Sequence, residues 1–142
     1  MVYSSEDLAQ LVVGFETATL PAQEWTHEKH LAMAMWYLHH YDVEDATIRI
    51  RSGIIHYNLA QGNQNTVQSG YHETITLFWI DLIKYYLHQH PGVLSDVLQG
   101  FLNSSWSDKN ILFNYYTQEF LFSPRARARW VPPDLLTPDW QK

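Results

Sequence analysis

Tyr71-His72-Glu73-Thr74-Ile75-Thr76-Leu77-Phe78-Trp79-Ile80-Asp81-Leu82-Ile83 is the stretch on which the fold turns. It follows a polar loop, Gly62 to Gly70, and runs on to His90, where Pro91-Gly92 stops it. Read as a helix from Tyr71 to His90, it carries Ile75, Leu77, Phe78, Trp79, Ile80, Leu82 and Ile83 around its whole circumference. A helix apolar on every side belongs at the centre of a core. Its uncharged apolar run, Ile75 to Ile80, is far too short to span a bilayer.

Working outward, the remaining segments also repeat at helical spacing. Ser4-Ser5-Glu6-Asp7 reads as an N-cap with an acidic first turn, followed by the stripe Leu8, Leu11, Val12 and Phe15. Thr26 caps a second helix to about His40, striped by Leu31, Ala34, Met35 and Leu38. Asp42 caps a third, Val43 to Gln61, with Gly62 as the residue after its end. Val93 to Leu102 is a shorter helix. Ser107 caps another from Asp108 to about Gln118, and Ser123-Pro124 opens a last one reaching Trp130. Pro132-Pro133 closes that helix and leaves an extended tail. No segment alternates with a period of two. The expectation is an all-α, single-domain, irregular helical bundle of five to seven helices over residues 1–142.

Composition narrows the function classes. Apolar residues make up 46% and charged ones 17%, which suits a globular chain. The net charge of −6 argues against a nucleic-acid or anionic-membrane partner. There is no cysteine, so thiolate metal sites, disulfides and a cysteine nucleophile are excluded. Residues 1–15 lack the basic-then-apolar pattern of a signal peptide, and a cytoplasmic location is expected.

Two polar clusters sit at the starts of the two most apolar helices. His27 and His30 are three residues apart and share a helix face. Tyr71, His72 and Glu73 open the central helix. Brought together, three imidazoles and a carboxylate suit zinc, iron or another divalent first-row metal. Hence His27, His30, His72 and Glu73 are the candidate metal ligands. Without a metal, His72 with Glu73 or Tyr71 supplies an acid and a base. The bland reading is a satisfied hydrogen-bond network, with Glu73 as a capping-box carboxylate three residues after an N-cap Gly70. Thr74 and Thr76 read as hydroxyls bonding back along their own helix. Known motifs fail: His27-Glu28-Lys29-His30 is one residue short of the zinc-protease pattern. A di-iron bundle needs two E-x-x-H pairs, and only Glu24-x-x-His27 is present.

The chain resembles a family of small bacterial helical proteins. The resemblance is carried by His27-Glu28-Lys29-His30-Leu31 with Ala34 to Leu38, by Tyr71 to Thr76, and by Ser123 to Leu135. Met35-Trp36-Tyr37-Leu38 departs mildly from the Ala-Trp pair usual there. The resemblance implies that the three blocks act together, and it brings no activity, substrate or cofactor. It raises Arg127 above Arg125 and Arg129, and it raises Asp134. These two become binding candidates, or a buried ion pair fastening the tail. The functional expectation is a small-molecule enzyme or binding protein with a His/Glu site between the starts of the second and fourth helices. The alternative is a non-catalytic scaffold or homodimer whose cluster is structural.

Overall fold

The computed structural model describes residues 2–142. Among them are seven α-helices and no strand: α1 (Ser5–Glu16), α2 (His27–His40), α3 (Val43–Ala60), α4 (Glu73–Gln89), α5 (Leu94–Leu102), α6 (Gln118–Leu121) and α7 (Pro124–Ala128). This is the all-α bundle that the apolar stripes predict. Helix α2 buries five consecutive residues, Leu31 to Met35, and packs against α1, α3, α4 and α5. Helix α4 packs against α2, α3 and α7 and buries Phe78, Trp79, Ile80, Leu82, Ile83 and Tyr86. The centre is thus a pair of helices rather than α4 alone.

The caps work largely as their residue types dictate. Ser4, Thr26 and Asp42 accept backbone N–H groups of the first turns of α1, α2 and α3, and Ser4 with Asp7 forms a capping box. Gly62 follows α3 at φ +84°, as expected of a helix-ending glycine. Gly70 is also left-handed, at φ +83°, and a Cβ there would meet the Gln64 carbonyl at 2.5 Å.

Three expectations need correction. Helix α4 starts at Glu73, because the His72 imidazole takes the N-cap role: its Nδ1 accepts the Ile75 N–H at 3.1 Å. The segment 108–118 is not one helix. Asp108 caps a 3₁₀ turn, Lys109–Asn114, and Thr117 then caps the separate α6. Asp134 accepts both the N–H (2.8 Å) and the hydroxyl (2.6 Å) of Thr117, which holds that break in place. The tail is not wholly extended. A 3₁₀ turn, Asp139–Gln141, packs Trp140 among Phe78, Tyr85, Trp106 and Tyr115.

Helix α3 crosses α1 at Gly53, where a Cβ would stand 2.5 Å from Cε2 and Cζ of Phe15. Phe15 cannot step aside: it is fully buried and stacked on Trp25 and Tyr57. Gly53→Ala is expected to cost about 1–3 kcal/mol through overpacking. Urea unfolding measures this, and a loss below about 0.5 kcal/mol, typical of a neutral surface change, would contradict such close packing.

Candidate functional site

The tetrad Tyr71 to Thr74 fastens α4 to its surroundings, one residue after another. The Tyr71 N–H donates to Asn65 Oδ1 at 2.8 Å, which ties the helix start to the preceding loop. The buried His72 ring bridges two chains of backbone. While Nδ1 accepts from Ile75, Nε2 lies 2.7 Å from the Leu121 carbonyl at the end of α6. A carbonyl only accepts, so Nε2 carries the proton and the ring is neutral. Burial, and then the nearby Arg127 cation, hold the His72 pKa below its ordinary value.

Glu73 turns to α3, where Arg51 grips it with two bonds of 3.0 and 2.7 Å. The Tyr71 hydroxyl donates to the same carboxylate. Burial pushes the Glu73 pKa up, but the Arg51 and Tyr71 hydrogen bonds outweigh it and hold the group below the usual range. Tyr71 is shifted upward by its own burial and by Glu73. Thr74 is fully buried and does not bond back along its helix as its sequence context suggests. Its hydroxyl donates to the Arg129 carbonyl (2.9 Å) and accepts the Val131 N–H (3.2 Å), clipping the C-terminal segment to α4. Thr76 does bond back, to the His72 carbonyl at 2.8 Å.

Arg127 and Asp134 are not an ion pair, which corrects the expected tail fastening. Asp134 is exposed and held by Thr117, whereas Arg127 Nη1 donates to the carbonyls of Gly70 (2.8 Å) and Tyr71 (3.4 Å). Nor does Arg125 or Arg129 form an ion pair with Glu119, Asp134 or Asp139 among the described residues.

His27 and His30 stand apart from this network. They line a cavity of about 310 Å³ with Leu31, Met33, Ala34, Ile50, Ile54, Ile75, Thr76, Trp79 and Ile80, between α2, α3 and α4. Each ring spends one nitrogen on a carbonyl: His27 Nε2 on Ser107 at 2.8 Å, and His30 Nδ1 on Thr26 at 2.7 Å. The second nitrogen of each ring, Nδ1 of His27 and Nε2 of His30, has no hydrogen-bond partner among the described residues. His30 also stacks on Trp25 with ring centres 3.8 Å apart. Burial pulls its pKa down to about 4, only partly offset by the Thr26 hydrogen bond. It is a neutral acceptor at pH 7.

The expected four-ligand set does not assemble. Both His72 nitrogens are engaged, and Glu73 is taken by Arg51 and Tyr71. Among the described residues, no group of three or more His, Asp or Glu is placed to hold a metal ion. Two imidazoles alone fall short of the three protein ligands of a catalytic zinc site. Arg51 is not singled out by the sequence reading, where it is only a cation beside the buried Ile50. Among the described residues, no helix is long and apolar enough to cross a membrane. Comparison with protein-family models, curated proteins and solved structures gives no match.

The depressed histidines have a consequence for stability. His30 and His72 hold protons less tightly folded than unfolded, so the unfolded chain binds more protons as pH falls below 6.5. The stability they allow is complete above pH 6.5 and drains away toward about 4, on the order of 3 kcal/mol for His30. Glu73 adds its loss only below its ordinary value of 4.5. Urea unfolding at stepped pH is expected to show that slope, with His30→Gln flattening it. An unchanged slope in the variant would contradict the buried neutral His30.

Proposed function

We propose that the protein binds a small, mainly apolar molecule in the cavity between α2, α3 and α4, with His30 Nε2 as its polar anchor. The observation carrying this reading is the pairing of an apolar cavity with two imidazoles that each keep one nitrogen without a partner in the protein. A preformed apolar pocket with a few converging polar groups is the usual form of a small-molecule site. His27, His30 and Thr76 line it, and each keeps an acceptor without a partner in the protein, the Thr76 proton being spent on the His72 carbonyl. The matching ligand has an apolar body and at least one hydrogen-bond donor.

Binding is favoured over catalysis by the state of the other candidates. Tyr71 and Glu73 are tied to each other and to Arg51, and His72 has no spare nitrogen. His30 is too weak a base to take a proton efficiently near neutrality. A scaffold or homodimer role finds support in the satisfied His72 and Glu73, but it leaves the cavity without a use.

Titration with 1-octanol tests the proposal through intrinsic fluorescence, since Trp79 lines the cavity and Trp25 stacks on His30. Saturable binding is expected. His30→Phe should weaken it about 5–12-fold, the worth of one hydrogen bond of about 1–1.5 kcal/mol. Ala34→Phe, which fills the cavity, should abolish it. No saturation in the wild type, or full binding in Ala34→Phe, would overturn the assignment.

A further inference from the structure

A second, polar cavity of about 530 Å³ adjoins the apolar one. The two share His30, Ile54, Ile75 and Thr76 as walls. The polar chamber continues past this shared wall to Asn58, Asn63, Gln64, Ser69 and Arg127. The two adjoin along the shared wall, with an apolar lining at the α2 end and a polar one at the loop end.

The charge balance of the polar chamber is one-sided. None of its lining residues is acidic. Glu73, the carboxylate at the nearby helix start, is already neutralised by Arg51. Arg127 is half-buried and spends Nη1 on two backbone carbonyls. Its guanidinium has no carboxylate within ion-pair reach among the described residues, and its buried Nε has no partner. In a chain of net charge −6, a partly desolvated arginine without an acid is conspicuous. A guanidinium placed so, with side-chain amides beside it, matches an anionic head group. The adjoining apolar cavity matches a chain. At about 30 Å³ per water-sized group, it takes on the order of ten carbon atoms.

We infer that the ligand is a medium-chain amphiphile whose head carries both an anionic group and a hydroxyl, with its chain between α2, α3 and α4, the anion against Arg127 and the hydroxyl donating to His30 Nε2. His30 sits where chain meets head. This rests on the apolar cavity being a binding site, and it adds the charge and polarity of the ligand.

The test compares sodium octanoate with 1-octanol, which has the same chain length and a neutral head. Wild type is expected to bind octanoate at least tenfold more tightly than 1-octanol. Arg127→Gln should bring the two affinities together while 1-octanol binding persists. Because Arg127 also supports the Gly70 and Tyr71 carbonyls, Asn63→Asp serves as the second variant. Asn63 is exposed, and a new carboxylate there should weaken octanoate about tenfold and leave 1-octanol unchanged. Equal affinities for the two probes in wild type, or an octanoate preference that survives both variants, would overturn the anionic-head assignment. Failure of both probes to bind would instead sink the cavity reading on which it rests.

Discussion

The structure depends on how helix α4 begins. A helix start leaves backbone N–H groups without intrahelical partners, and here the start is buried beneath the C-terminal segment. The neutral His72 ring resolves the conflict by accepting inside the helix and donating outside it. An aspartate in the same place would cap the helix but could not donate to Leu121. A lysine could donate but could not cap. A ring with one bare and one protonated nitrogen does both, and burial keeps His72 in that state.

From that point the neighbouring contacts follow in register. Glu73 reaches α3 through Arg51, and Thr74 reaches the strand-like backbone after α7. Arg127 returns from α7 to the carbonyls that precede α4. Three distant parts of the chain thereby meet at four consecutive residues. These polar groups satisfy one another, so Tyr71 and His72 line the polar cavity without an unspent nitrogen or proton to offer it. The groups left with unspent capacity are His27, His30 and Arg127, and all three line the adjoining cavities. Among the histidines the two roles are divided: His72 holds the fold together with both nitrogens, His27 and His30 each keep one unspent, and Arg127 alone serves both the fold and the cavity.

The helices were legible in the sequence because stripes and caps are local: Leu8 to Phe15, Thr26, Asp42 and Ser123-Pro124 each act within a turn or two of themselves. The segment 108–118 reads as one helix in the sequence because its break is set by Asp134, a partner seventeen residues from Thr117. The position of the site was half legible. His27, His30, Tyr71, His72 and Glu73 do lie at the starts of α2 and α4. Their division into two groups was not, since it turns on Arg51 and the Leu121 carbonyl, which no spacing rule brings to α4. Nothing in the order of residues 125–129 tells that Arg127 alone turns inward and passes Asp134 by.

The most direct measurement is the tautomer and protonation of each histidine ring by long-range proton–nitrogen correlation spectroscopy, with and without 1-octanol. At neutral pH, His72 should carry its proton on Nε2 and His30 on Nδ1. Added ligand should shift the rings of His27 and His30 and leave His72 unmoved. A His30 ring protonated at Nε2, or a ligand that shifts His72 while His30 stays still, would contradict the division between the structural and the available histidines.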